Sequence, residues 1–366
     1  MPVPATKGQL RTRIEDMQIG DYIVCNYQAS SGAAGKFSNL GGTAGTEIPV
    51  EGSATPNGTF YFVKVDRGLL VADRVVQHSI SWNTLNAGKL IQGLPFYLDN
   101  VPLMTSNTTP SGEAFSNRNS SYAEWQAFDK NITTFFQSGF TPSISSPAYL
   151  GYEFPTATTI NAYSITPYGG RDNPLDFKFY GSNDRVNWTL LDTRTNVSWT
   201  ASKQLFVLNQ PVVYKSYKLE CTRTGGGWFS LVELELAYVF DFEIIVRSLT
   251  GGVAYADANG NSSTTDQGFG GWPTNNEWDK YIVNFPADKI QAGKTLDDVF
   301  HWDIDTGTWT QDTPITAIAT SSLRVMRGKY KLNGTYYGGL KYLTYSSSNQ
   351  SGTTWGFRPV FEYKEV

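Results

Sequence analysis

Residues 127–136 read AFDKNITTFF, and the interpretation of the middle of the chain depends on this stretch. Over one tight turn it supplies a carboxylate from Asp129, a carboxamide from Asn131 and two threonine hydroxyls, alternating with backbone carbonyls. Hard oxygen ligands of this kind are those that Ca²⁺ prefers. The stretch therefore predicts a calcium-binding turn. The alternative is a turn in which Asp129 and Thr134 cap backbone amides and no metal is present.

Two further segments belong to the same region. Residues 179–189 read FYGSNDRVNWT, a pattern that predicts a strand, a turn and a second strand. Residues 232–236 read VELEL, an alternating strand whose carboxylates would close a metal site from the far end of the domain.

The three segments, in this order and spacing, resemble the discoidin or coagulation-factor type C domain. This family is a galactose-binding-like jelly-roll β-sandwich that also serves as a carbohydrate-binding module. Its "AFDGN..T.W" turn, "GSNDG..W" hairpin and terminal "EI" strand correspond here to AFDKNITTFF, GSNDRVNW and VELEL. The sequence departs from the family pattern at Lys130, where glycine is usual, and at Phe136, where tryptophan is usual. The resemblance implies a discoidin domain over residues 105–240.

The resemblance also implies a structural Ca²⁺ that holds the ligand-facing loops in place and takes no part in chemistry. The implied ligands are the side chain of Asp129, the backbone carbonyls of Gln126, Asn131 and Val232, the carbonyl and hydroxyl of Thr134, and the carboxylate of Glu233.

In the family, the sugar-binding loops lie at one end of the sandwich, and residues 168–173 and 225–229 are the corresponding loops here. The indole of Trp228 would stack on the apolar face of a pyranose, while Arg171 and Asn173 would donate to its hydroxyls. The predicted ligand contacts are Tyr168, Arg171, Asn173, Trp228 and Phe229. Two alternatives remain open: Trp228 as a lid over the sheet end, and Arg171 and Asn173 as caps of the turn before the next strand.

Composition favours β structure along the whole chain. Of 366 residues, 17% are charged and 35 are glycine, which is typical of short strands joined by many turns. We therefore expect a mainly β fold. The length exceeds that of one typical domain.

The segments that flank the discoidin-like region carry a second resemblance. Residues 323–328 (LRVMRG) and 355–363 (WGFRPVFEY) resemble the end of the C-type-lectin-like fold of the formylglycine-generating-enzyme type. The paired cysteines of that enzyme are absent from the C-terminal region, so its oxidase chemistry is not implied. We expect residues 1–104 and 241–366 to form one lectin-like α+β platform into which the discoidin domain is inserted. Three domains in series is the alternative.

Several classes of function are disfavoured. A net charge of −4 without a Lys/Arg run argues against nucleic-acid binding. Neither a signal peptide nor a membrane-spanning stretch is recognisable. His78 and His301 lie apart without accompanying cysteines, so we predict no zinc site. No nucleophile or metal-hydrolase motif is present, and we expect no enzymatic activity. Cys25 and Cys221 fall in different predicted domains, which favours two free buried thiols.

Residues 19–32 and 71–86 resemble segments of bacteriophage tail or fibre proteins. The combined resemblances imply a receptor-binding protein of a phage tail or phage-tail-like particle, which attaches to host cell-surface glycans. Its expected partners are other tail or baseplate proteins and further copies of itself, as a trimer. It would be made in the bacterial cytoplasm and act on the virion tail or extracellular particle. The alternatives are a structural baseplate or fibre component, and a carbohydrate-active enzyme with a targeting module.

Overall fold

The computed structural model describes residues 3–42, 44–96, 98–199, 203–239, 244–316 and 322–364. The fold is mainly β, as the composition predicts. Helical segments are short: α1 (Trp82–Ala87), α2 (Asp297–Phe300), a π-helical turn (Trp278–Val283), and 3-10 turns at Ile14–Asp16, Glu124–Ala127, Gly170–Asp172 and Ala287–Lys289. Among these described helices, none has the length and apolar character needed to cross a bilayer.

The chain divides into two compact units, which we call the platform (Met1–Phe96 with Asp241–Val366) and the sandwich unit (Tyr97–Phe240). The first seven platform strands are β1 (Leu10–Arg11), β2 (Tyr22–Gln28), β3 (Lys36–Ser38), β4 (Asn57–Asp66), β5 (Leu69–Ala72), β6 (Gln77–His78) and β7 (Leu94–Pro95). The sandwich strands are β8 (Leu98–Asp99), β9 (Glu113–Ser116), β10 (Phe136–Gln137), β11 (Ala148–Pro167), β12 (Pro174–Ser182), β13 (Thr189–Arg194), β14 (Gln204–Thr224) and β15 (Ser230–Tyr238). The remaining platform strands are β16 (Ile244–Ser248), β17 (Ala254–Ala256), β18 (Ser262–Ser263), β19 (Gly271–Trp272), β20 (Gly307–Trp309), β21 (Leu323–Arg327), β22 (Tyr330–Leu332), β23 (Thr335–Tyr337), β24 (Leu343–Ser347), β25 (Trp355–Phe357) and β26 (Pro359–Tyr363).

The platform joins strands from both ends of the sequence. Its larger sheet has the order β1-β2-β4-β5-β26-β16-β7, so the last strand of the chain lies between β5 and β16. A second sheet, β24-β21-β20-β25-β6, again combines early and late strands. Strands β7 and β16 are antiparallel neighbours, with Leu94 opposite Val246. The sequence therefore leaves and re-enters the platform at adjacent positions. The lectin-like assignment of this unit stays a prediction.

Two arginines of the C-terminal motifs are fully buried in the platform. Arg327 donates to both carboxylate oxygens of Asp279, at 2.6 and 3.0 Å, and to the carbonyl of Gly251 at 2.6 Å. Arg358 donates to the carbonyls of Ala72 at 2.9 Å and Phe300 at 2.6 Å. A buried guanidinium offers five donors in a fixed fork, so one side chain can satisfy several loops at once.

The sandwich unit has the sheet order β10-β15-β11-β14-β12-β13, with β8 beside β15 and β9 beside β11. The sequence-based boundary at residue 104 lies earlier in the structure, because Asp99 of β8 pairs with Ala237 of β15. Aromatic rings fill the core: Phe179 stacks on Tyr163 at 4.2 Å between ring centroids and lies 6.0 Å from Tyr217.

Both cysteines are free and buried, as predicted, with Cys25 in the platform and Cys221 in the sandwich unit. Burial raises the pKa of Cys221 to about 12. A thiol with so high a pKa stays protonated at neutral pH and is therefore a poor nucleophile and metal ligand.

Candidate functional site

The turn predicted to bind calcium forms, and its side chains bond to one another. The Asp129 carboxylate accepts from the Asn131 amide at 2.9 Å and from the Thr134 hydroxyl at 2.7 Å. The same hydroxyl lies 2.9 Å from the Asn131 carbonyl. Three predicted ligands are thus brought together, in the arrangement expected for the metal-free alternative.

Lys130, in the middle of this turn, changes the electrostatics of the region. Its φ of +58° explains why the family pattern has glycine here. The side chain is only 12% exposed and its ammonium forms an ion pair with Asp99. Burial alone would lower the pKa of Lys130, but Asp99, Glu233 and Glu235 attract the charged form and hold this pKa above its ordinary value. Glu233, the predicted closing carboxylate, is therefore one of the groups that stabilise the charged form of Lys130.

The other predicted ligands also have structural roles. The side chain of Gln126, whose backbone carbonyl is the predicted ligand atom, accepts from the Ala123 amide at 2.8 Å and closes a 3-10 turn. Val232 and Glu233 are buried in β15. Within the described ranges, no group of three or more His, Cys, Asp or Glu side chains is placed to hold a metal. Asp129 is bonded within the turn, and the Lys130 ammonium, paired with Asp99, already supplies positive charge to the carboxylates of this region, so these residues do not fit Ca²⁺.

The two loops predicted to bind sugar meet at one end of the sandwich. The amide of Gly227 donates to the Arg171 carbonyl at 3.0 Å, which joins the loops through their backbones. A Cβ at position 227 would lie 2.0 Å from Oδ1 of Asp172, so a larger residue there requires the Asp172 carboxylate to move. Oδ2 of Asp172 accepts from the Ser230 hydroxyl at 3.0 Å. These contacts hold both loops against the start of β15.

The five predicted sugar contacts separate into two groups. Tyr168 is 48% exposed, Trp228 is 43% exposed, and Arg171 is also exposed at the same loop pair. Asn173 accepts from the Gly169 amide at 2.7 Å, so it caps its own loop, as one alternative anticipated. Phe229 is wrong as a contact residue, because it is fully buried in the core against Phe136. Its side chain lies under the loop instead of on its surface.

Two aromatic residues that the sequence-based prediction missed extend the exposed surface. The Phe135 ring stacks on Tyr122 at 4.4 Å between ring centroids and lies 4.3 Å from the Tyr168 ring at an angle of 40°. The consecutive Phe135 and Phe136 at the end of AFDKNITTFF could have indicated an aromatic residue at the surface, since neighbouring residues of a strand face opposite sides. Phe136 faces the core and Phe135 the loops.

A second depression in the sandwich unit, about 260 Å³ in volume, is lined by Phe115, Ser116, Tyr149, Arg185, Trp188 and Lys218. Positively charged side chains of the protein lie over two aromatic rings of this depression. The Lys218 ammonium lies 4.6 Å from the Trp188 ring centroid, and the Arg185 guanidinium lies 4.1 Å from that of Phe115. These two stacking positions are therefore already filled by cations of the protein.

Comparison with known proteins matches residues 111–234 to the family model of the F5/8 type C domain. Among similar solved structures, a family 32 carbohydrate-binding module from Clostridium perfringens, in complex with galactose, is 18% identical, covers 34% of this chain and 93% of its own, and has a TM-score of 0.29. A chitosan-binding module of a chitosanase/glucanase from Paenibacillus sp. IK-5 is 21% identical, covers 37% of this chain and 96% of its own, and has a TM-score of 0.30. The search of curated proteins gave no match.

Proposed function

We propose, from the F5/8 type C domain that residues 111–234 form, that this chain is a non-enzymatic adhesin that binds glycans. The binding surface is the loop end of the sandwich unit that carries Tyr168, Arg171 and Trp228. Flat, polyhydroxylated ligands are commonly recognised by one side chain that stacks on the sugar ring and another that donates hydrogen bonds to its hydroxyls.

The observation that carries this proposal is the exposed indole of Trp228 on a loop that is fixed from below. Trp228 is 43% exposed, while its neighbour Phe229 is fully buried and anchors the same loop. An aromatic ring that is held still loses little conformational entropy when a ligand docks on it. The rings of Tyr122, Phe135 and Tyr168 contact one another and add aromatic surface for a sugar chain at Tyr168.

The wider biological setting is part of the same proposal. The resemblance of residues 19–32 and 71–86 to tail and fibre proteins supports a receptor-binding protein of a phage tail or phage-tail-like particle, attached to other tail or baseplate proteins. Single-site sugar binding is usually weak, so a trimer with three copies of the site would supply useful avidity.

The test compares binding of the full chain and its Trp228→Ala variant to a broad glycan array and to whole bacterial cells. We expect the variant to lose about 10- to 100-fold in affinity, since a buried aromatic contact contributes about 1.5–3 kcal/mol. Phe269→Ala is the matched control, because Phe269 is an aromatic residue of the platform that is 53% exposed. Absence of binding by the unmodified chain to every glycan and cell type would overturn the proposal.

The two alternative functions, a carbohydrate-active enzyme and a structural virion component, predict different results for the same purified chain. A carbohydrate-active enzyme would release reducing sugar from cell-wall polysaccharide. A purely structural virion component would bind no glycan, and Trp228→Ala would instead weaken its assembly with neighbouring virion proteins.

A further inference from the structure

The turn of the sandwich unit that contains Lys130 is connected to the last strand through charged side chains. The Lys130 ammonium forms an ion pair with Oδ2 of Asp99 in β8. Oδ1 of Asp99 accepts from the amides of Val101, at 3.1 Å, and Leu236 of β15, at 3.3 Å. One lysine and one aspartate thus join the Asp129 turn to β15.

These are the same two parts of the domain that the calcium ion of the discoidin resemblance would join. In that arrangement, the ion would bind Asp129 and its neighbours on one side, and Val232 and Glu233 of β15 on the other. Here Asp129 is bonded within its own turn, and Glu233 is 2% exposed in β15. Lys130 and Asp99 provide a connection between the turn and the strand.

We infer that Lys130 replaces the structural calcium of this fold with a covalently attached cation. The ammonium neutralises the buried carboxylate of Asp99 and ties the turn to β15, which removes the need for a metal. A divalent cation between the turn and Glu233 would be repelled by the ammonium, because like charges in a poorly solvated region repel strongly. The domain is therefore stable without metal, and its binding loops do not depend on the calcium concentration.

The stability of the metal-free protein tests this inference. The full chain is stripped of metal with EDTA, and its thermal unfolding is followed in EDTA and in millimolar CaCl₂, with CaCl₂ titrated by calorimetry in parallel. We expect the same Tm in both solutions and no saturable heat. A Tm that rises with calcium, or a saturable binding isotherm, would overturn the inference.

Substitution of the lysine provides the second arm. Lys130→Gly restores the residue usual in the family and relieves the positive φ, while Lys130→Met removes only the charge. We expect both to unfold at lower temperature than the unmodified chain in EDTA. Lys89→Gly is the matched control, because Lys89 also has a positive φ, +61°, but is exposed. If both Lys130 variants were as stable as the unmodified chain, the ammonium would not hold the turn, and the inference would be wrong.

Discussion

Gly227→Ala should separate the two sugar-site loops while the rest of the chain stays folded. Position 227 donates its amide to the Arg171 carbonyl, and an added Cβ would lie 2.0 Å from Oδ1 of Asp172 and 3.2 Å from the carbonyl carbon of Arg171. Ordinary contact begins at 3.4 Å, so the Asp172 carboxylate must move by about 3.4 − 2.0 = 1.4 Å. That movement breaks its bond with Ser230.

The cost can be worked out from these contacts. Overpacking of a tight site typically costs about 1–3 kcal/mol, and a lost hydrogen bond accounts for about 1 kcal/mol of it. For a domain of this size, such a loss lowers the Tm by about 3–10 °C. Displacement of the Trp228 loop would also disrupt the proposed sugar-binding surface, so affinity for a glycan ligand should fall at least about tenfold.

Differential scanning calorimetry and glycan titration on the same samples measure both effects. Gly339→Ala is the control, because a Cβ at that position meets nothing within 4 Å and its φ is outside the left-handed region. If Gly227→Ala matched Gly339→Ala in both Tm and affinity, the close packing of the two loops could not be what positions the site.

Three further outcomes are expected. Arg327→Met should destabilise the platform by about 3–5 kcal/mol in urea unfolding, because it leaves the Asp279 carboxylate buried without its cation. An effect below about 1 kcal/mol would contradict a stabilising role of the Arg327–Asp279 pair. Burial lowers the pKa of His301, so below about pH 6.5 the unfolded chain binds more protons than the folded chain, and the Tm should fall as the pH drops. His301→Gln should make the dependence of Tm on pH less steep, and an unchanged dependence would argue against a lowered pKa of His301. Phe179→Ala should cost about 3–5 kcal/mol by removing the ring between Tyr163 and Tyr217, whereas a loss near zero in chemical denaturation would mean that the core refills the space.

Short-range patterns allowed much of the sandwich unit to be predicted. The GSND segment forms a turn because the Asp184 carboxylate accepts from the amides of Val186 and Asn187, at 2.9 and 2.8 Å. The VELEL segment forms β15 because its residues alternate in the manner of a strand. Each signal is contained within a few consecutive residues, so a single sequence is enough to recognise it.

The features that were missed depend on distant residues. The partner of Lys130 is Asp99, which is 31 residues earlier in the sequence, and no local pattern connects the two. The domain boundary was predicted too late in the sequence for the same reason. Strand β8 belongs to the sandwich unit through its pairing with β15, and this pairing is visible only in the folded chain. Burial of Phe229 likewise depends on Phe136, from a different part of the unit. The calcium prediction rests on the oxygens of one turn, whereas the pairing of Lys130 with Asp99, on which the proposal of a metal-free domain depends, arises from tertiary structure.

The pairing of β8 with β15 places the entry and exit of the sandwich unit side by side, and β7 and β16 do the same for the platform. A segment whose ends already meet can be exchanged for another with similarly placed ends at small cost in chain entropy. If the chain is the adhesin proposed above, transplantation of a module with a different sugar preference between residues 96 and 244 is an economical route to a new ligand. Recombination in nature and engineering in the laboratory would use the same two junctions.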